Sequence, residues 1–127
     1  MLIEHAEYGN EQSLLGHLEG TVLRYCAFKS FSVDGKNVDA VLLNCKLDGV
    51  DWYWGIFNSC LFVDTQFERC VFRGTNFADC RFLNCEFVDC KFEEDNLGAQ
   101  CSFAGSQWFG GTAVRCTGLP EYAFPTR

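Results

Sequence analysis

From Leu47 to Leu97 every fifth residue is a large apolar side chain: Leu47, Trp52, Phe57, Phe62, Phe67, Phe72, Phe77, Phe82, Phe87, Phe92 and Leu97. A period of five is neither the 3.6 of a helix nor the 2 of a strand. Two residues before each member stands a smaller one, in the run Cys45, Val50, Gly55, Cys60, Thr65, Cys70, Thr75, Cys80, Cys85, Cys90, Asp95. We call the larger position the centre and the smaller one its companion.

A step of two places companion and centre on one face of an extended backbone. The next inward residue comes after three steps, so an uninterrupted strand would turn its face outward there, and the chain must bend after each centre. The two residues that follow the centres are rich in turn formers: Asp48-Gly49, Asn58-Ser59, Arg73-Gly74, Ala78-Asp79, Leu83-Asn84 and Val88-Asp89. One repeat is a short straight edge plus a corner. With right-angle corners four repeats close a square, and stacked squares bury a continuous core.

Stretches such as Cys70-Val71-Phe72-Arg73-Gly74, Thr75-Asn76-Phe77-Ala78-Asp79 and Cys80-Arg81-Phe82-Leu83-Asn84 resemble the pentapeptide-repeat family. The resemblance implies an all-β fold, a right-handed quadrilateral β-helix of about four to five coils with terminal caps. This chain prefers Cys to Ala at the companion and Phe to Leu at the centre, which makes the core bulkier.

The pattern extends upstream as Thr21/Leu23, Cys26/Phe28, Phe31/Val33 and Ala40/Leu42, with one repeat around Lys36 and Val38 a residue short. Downstream the frame gains one residue after Leu97, resumes as Cys101/Phe103 and Ser106/Trp108, and fades at Gly111/Ala113. The expected columns are Leu23, Leu42, Phe62, Phe82, Phe103; Phe28, Leu47, Phe67, Phe87, Trp108; Val33, Trp52, Phe72, Phe92, Ala113; and Val38, Phe57, Phe77, Leu97. The fourth companion column (Lys36, Gly55, Thr75, Asp95) is irregular, so a bulge or loop is expected on that side. The domain organisation expected is a cap at 1–20, a solenoid at 21–113 and a tail or cap at 114–127. Ser13 to Leu18 suggest a turn or two of helix, weakened by Gly16. Leu119, Tyr122 and Phe124, between Pro120 and Pro125, either fold back over the last coil or join a symmetric partner. Relatives in the family dimerise through a terminus, which makes a homodimer one expectation.

No apolar run reaches membrane-spanning length and no basic, then apolar, leader opens the chain, so the expectation is a cytoplasmic protein without membrane contact. A net charge of −7 disfavours direct binding to nucleic acid and leaves basic partners open. Of nine cysteines, Cys26, Cys45, Cys60, Cys70, Cys80, Cys85, Cys90 and Cys101 hold companion positions, where a small apolar residue is wanted, and only Cys116 falls outside. There is no CxxC, and His5 and His17 lie outside the repeats, so neither a metal nor another cofactor is expected. The carboxylates face outward on a convex rod. Asp95, beside Glu93 and Glu94, is the one acid in a companion slot and reads as a frustrated corner. No nucleophile, base or phosphate-binding loop stands out, so the chain is expected not to be an enzyme.

The frame assigns the outward residues. Around the first column they run Val22, Val41, Leu61, Arg81, Ser102 and Arg24, Leu43, Val63, Leu83, Ala104, an apolar stripe that a partner, the N-terminal segment or a second copy would cover. Val41, Leu43, Leu61, Val63 and Leu83 are the candidate partner-binding residues, with Tyr53 and Trp54 as a second aromatic patch. The Phe/Cys-rich form, with Asp51-Trp52-Tyr53-Trp54-Gly55 and Asp95-Asn96-Leu97-Gly98, resembles small bacterial immunity proteins of this family. That likeness implies a protein partner, a secreted toxin; were the toxin a nuclease, an acidic binder would oppose its basic cleft. Other branches of the family imply a DNA mimic that binds DNA gyrase, or a secreted effector.

Overall fold

The residue two after each centre from Leu23 to Phe87 has a positive φ, between 49° and 68°, with one omission after Val38. These corner residues are Tyr25, Ser30, Gly35, Asn44, Gly49, Trp54, Ser59, Asp64, Arg69, Gly74, Asp79, Asn84 and Asp89. A single left-handed residue swings the chain through each corner, which is why Gly, Asn and Asp recur there. In the computed structural model, which describes residues 1–124, this winds the chain into a four-sided, all-β solenoid of about five turns.

All sheets are parallel and in register. The first side stacks Leu2–Glu4, Glu19–Arg24, Asn37–Leu43, Leu61–Val63, Arg81–Leu83 and Gln107–Phe109. The second stacks Glu7–Tyr8, Ala27–Lys29, Lys46–Asp48, Gln66–Glu68, Glu86–Val88 and Thr112–Val114. The third holds Ser32–Asp34, Asp51–Tyr53, Val71–Arg73 and Lys91–Glu93; the fourth holds Ile56–Asn58 and Asn76–Ala78 under the start of Asn37–Leu43. That seven-residue strand explains the short repeat: lacking a residue after Val38, the chain passes from the fourth side to the first without a turn, and both sides join one sheet. Opposite it, Gly20 bulges out between Glu19 and Thr21.

The Phe ladder is the core. Phe62, Phe67, Phe72, Phe77, Phe82 and Phe87 are fully buried. Rings of successive coils lie nearly parallel: Phe62/Phe82 at 4.9 Å, Phe67/Phe87 at 4.7 Å, Phe72/Phe92 at 4.7 Å and Phe57/Phe77 at 4.8 Å. Neighbouring sides meet edge-on, as Phe72/Phe77 do at 5.3 Å. Offset stacks and T-shaped pairs are the favoured arrangements of aromatic quadrupoles.

The companions do more than fill space. From Cys45 onward each Sγ or Oγ donates to the carbonyl oxygen of a centre on the preceding coil: Cys45 to Leu23 (3.2 Å), Cys60 to Val38 (3.2 Å), Thr65 to Leu42 (3.3 Å), Thr75 to Trp52 (3.3 Å) and Cys90 to Phe67 (3.2 Å). At a corner the chain turns away from the ladder, and the companion's hydrogen supplies the centre's carbonyl with a donor. Thr75→Val keeps the shape and removes that donor. A buried unpaired acceptor costs about 1–3 kcal/mol, so a loss in that range is expected in denaturant titration, against less for Thr75→Cys.

Two parts of the frame differ from the sequence expectation. Leu97 is not a centre: it is 83% exposed. Phe103 stacks under Phe77 instead, at 5.2 Å, and eleven residues separate it from Phe92 where five are the rule. The insertion is thus six residues, not one, and everything after it moves round by one side. Trp108 lies under Phe82 (4.7 Å), not Phe87, and Ala113 pairs with Phe87, not Phe92. Cys101 replaces Asp95 as the companion below Thr75, and Cys116 fills the slot below Cys90, donating to the Phe87 carbonyl at 3.3 Å. All nine cysteines are therefore companions.

Residues 1–20 form a degenerate coil stacked on the first regular one. Ile3 pairs with Leu23 and Tyr8 with Phe28; a one-turn helix at Glu11–Leu14, earlier than Ser13 to Leu18, takes the place of the third side. The Asn10 side chain caps it by accepting from the Ser13 N–H. Leu14 and Leu18 are buried, and spacings of six and four between Tyr8, Leu14 and Leu18 hide the coil from a period-five reading. At the other end the chain folds back. Phe124 packs on Phe87 and Trp108, Tyr122 on Trp108, and the Tyr122 hydroxyl donates to the Phe103 carbonyl. Gly118 passes so close beneath Phe92 that a Cβ would lie 2.0 Å from its carbonyl oxygen. Pro125 and the rest of the expected tail lie outside the described residues.

Candidate protein-binding surface

On the first side the outward residues form two columns about 7 Å apart. One reads Leu2, Val22, Val41, Leu61, Arg81, Gln107; the other Glu4, Arg24, Leu43, Val63, Leu83, Phe109. The shifted frame puts Gln107 and Phe109 where Ser102 and Ala104 were expected. The apolar residues run diagonally, the upper four of one column and the lower four of the other, bounded above by the Glu4–Arg24 ion pair and below by Arg81 and Gln107. Val41, Leu43, Leu61, Val63 and Leu83 thus come together on one sheet, each half-buried only by its neighbours. The N-terminal segment does not cover them: its strand Leu2–Glu4 adds to the sheet edge, and Leu2 lengthens the stripe.

The second side is polar and ion-paired. Lys46 meets Glu68 at 3.4 Å, Arg69 bridges Asp48 and Glu68, and Arg115 meets Asp89. Such exposed pairs contribute little stability, but they break any run of acids. Among the described residues no group of three His, Cys, Asp or Glu side chains is placed to hold a metal.

Tyr53 and Trp54 are not part of the stripe. They lie at the corner between the third and fourth sides, where the 94–99 insertion folds back along the rod. The Trp54 indole N–H donates to Asp95 Oδ2 at 2.6 Å, and the Asn96 N–H to the Tyr53 hydroxyl at 3.3 Å. Asp95, expected to be frustrated, is satisfied: it accepts further from the Leu97 and Ala99 N–H groups at 2.8 and 2.9 Å. The Ala99 N–H, with help from Leu97 and Trp54, holds its carboxyl below the usual carboxylate range although partial burial works the other way. Its grip on the loop is therefore full above the ordinary carboxylate pKa and is lost as pH falls through the depressed value.

Burial pushes the thiol of Cys45 up to about 11 and that of Cys85 up to about 12. Cys101 and Cys116, half-buried near the end of the stack, are also raised by burial. Only these two are expected to react with a thiol reagent in the native protein at neutral pH, the other seven appearing on unfolding. Fast labelling of Cys70 or Cys80 would contradict the packing.

A sequence model described as pentapeptide repeats matches residues 56–94 in eight copies. The match covers 39 of the 127 residues; that part of the chain carries pentapeptide repeats. Among solved structures, Rfr23, a pentapeptide-repeat protein from the cyanobacterium Cyanothece 51142, is similar over 84% of this chain and 83% of that one, with 13% identity and a TM-score of 0.54. A trypsin-treated form of QnrB1, a plasmid-mediated fluoroquinolone resistance protein, is similar over 91% of this chain at 13% identity and a TM-score of 0.44. The match spans about half of that trypsin-treated QnrB1 chain, 53%. No curated protein matches the sequence. The likeness to Rfr23 is one of fold, and this pentapeptide-repeat coil departs from a regular one in its diagonal stripe and its pinned insertion. Among the described residues no helix is long and apolar enough to cross a membrane.

Proposed function

We propose that this chain is a non-enzymatic binding module, an immunity protein that neutralises a cognate bacterial toxin by covering it. The observation that carries the reading is the uncovered, contiguous diagonal of Leu2, Val22, Val41, Leu61, Leu43, Val63, Leu83 and Phe109 on one sheet face. A stiff sheet loses little conformational freedom on binding, which favours a tight complex. The net charge of −7 would speed encounter with a basic toxin such as a nuclease. The protein acts by occupancy of the toxin's active site or moving parts, inside the cell that makes both.

A DNA mimic for gyrase fits less well, because mimicry needs acids in unbroken rows. Here Lys29, Asp48, Glu68 and Val88 share one row, and Arg69 neutralises its two acids. The test is capture of the toxin encoded beside this gene by the purified chain, together with survival of cells that express that toxin. Binding with protection is expected; absence of both overturns the reading.

A further inference from the structure

Cys116 is half-buried at the lower end of the rod, where it lines a groove of about 340 Å³ with Arg115, Leu119, Pro120 and Phe124. Directly above it on the third side stands a second thiol, Cys90, which is fully buried. The sheet fixes their register: the Lys91 N–H donates to the Cys70 carbonyl at 3.0 Å, the Thr117 N–H donates to the Cys90 carbonyl at 3.1 Å, and Lys91 and Thr117 form a parallel bridge. Stacked parallel strands lie about 4.8 Å apart. Cα atoms joined by a disulfide lie about 4.4–6.8 Å apart, so the pair is close enough to be linked. Both side chains point inward, Cys90 donating to the Phe67 carbonyl and Cys116 to the Phe87 carbonyl one coil below. In the other stacked pairs, Cys26 over Cys45, Cys60 over Cys80 and Cys70 over Cys90, both members are buried. Among the described residues, Cys90 over Cys116 alone joins a reachable thiol to a buried one.

Cys101 supplies an internal contrast. It too is half-buried and opens onto a groove, of about 250 Å³, beside Phe92, Glu94 and Gln100. Burial raises the pKa of both thiols, so acidity does not separate them. Their neighbours do. The Ser102 N–H donates to the Thr75 carbonyl, which places Thr75, not a cysteine, above Cys101.

We propose that Cys116 is a site of oxidation by hydrogen peroxide and that Cys90 resolves it, giving a reversible disulfide that fastens the last coil to the body of the rod. The Cys116 thiolate attacks one peroxide oxygen; the O–O bond breaks, hydroxide leaves and is protonated to water, and Cys116 becomes a sulfenic acid. The Cys90 sulfur then gives up its proton and attacks the Cys116 sulfur; the S–O bond breaks and hydroxide leaves with that proton as a second water. Two thiols are oxidised to one disulfide while one peroxide is reduced to two waters. The last coil is free to make the small approach this needs, because its strand Thr112–Val114 has a neighbour on one side only. Both sulfurs leave their carbonyl acceptors, and a small thiol restores them by exchange.

The experiment treats the full chain with hydrogen peroxide, then with dimedone, which caps sulfenic acids, and maps the products by mass spectrometry. The unaltered chain should lose two hydrogen atoms to a Cys90–Cys116 disulfide that a thiol reductant reverses, and should carry dimedone on Cys101 only. Cys90→Ala should form no disulfide and should carry dimedone on Cys116. Thr75→Cys should give Cys101 a partner and abolish its dimedone adduct. In the oxidised chain the Thr112 and Thr117 amides, which bond the last coil to the one above, should exchange about tenfold more slowly than in the reduced chain. Dimedone on both Cys101 and Cys116 of the unaltered chain, a bond from Cys116 to Cys101 or to a second chain, or nine free thiols after excess peroxide overturns the site. Unchanged exchange in the oxidised chain overturns the fastening of the last coil.

Discussion

Phe72→Asp is expected to leave no cooperatively folded protein. Phe72 is fully buried, sandwiched between Trp52 at 6.4 Å and Phe92 at 4.7 Å in nearly parallel planes and met by the ring of Phe77 at 5.3 Å. Deleting such a ring from a core costs about 3–5 kcal/mol. The carboxylate adds several more, since no cation lies within the ladder to pair with it. The sum reaches the whole stability of a typical domain, about 5–15 kcal/mol. In a solenoid the damage also spreads, because each coil is buried only by its neighbours. Circular dichroism with denaturant titration should show no unfolding transition; a native-like transition would mean that the ladder is not the core.

The second large effect places the same charge outside. Val63→Asp and Leu83→Asp change residues whose side chains leave the first side on the outer face, in the column Leu43, Val63, Leu83, Phe109. Both variants should fold with midpoints close to that of the unaltered protein, because surface substitutions typically shift stability by within about 0.5 kcal/mol. Toxin binding should fall at least a hundredfold in the double variant, since two carboxylates would be desolvated against an apolar partner surface. Calorimetry reads the affinity and the denaturant midpoint reads the fold. Unchanged affinity in a folded double variant would move the binding face elsewhere on the rod.

The centres from Leu47 to Phe92 were legible because a period of five admits few folds and because corner and companion positions repeat with them. The stripe was legible for the same reason: knowing which residue of each triplet points in fixes the two that point out. The 94–99 insertion was not, since Leu97 keeps the period by coincidence and an apolar residue at the right spacing carries no sign of where it lies. A signal did exist in Cys101-Ser102-Phe103, which restores the Cys-x-Phe form that Asp95-Asn96-Leu97 breaks. The first coil escaped because its third side is a helical turn, which spends a different number of residues per edge. The hydrogen bonds of the companions escaped because composition shows a small residue there but not the carbonyl it serves. That carbonyl explains why Cys, Thr and Ser stand where Ala would also fit.

The proposed inhibition by occupancy would fix a stoichiometry, and titrating the activity of the captured toxin with the purified chain measures it. Activity should fall linearly to zero at one chain per toxin, and the Val63→Asp, Leu83→Asp double variant should leave it untouched. Full inhibition at a small fraction of one equivalent would reveal turnover, and equal inhibition by the double variant would reveal a different face; either result would contradict a rod that works by covering its partner with the Val/Leu stripe.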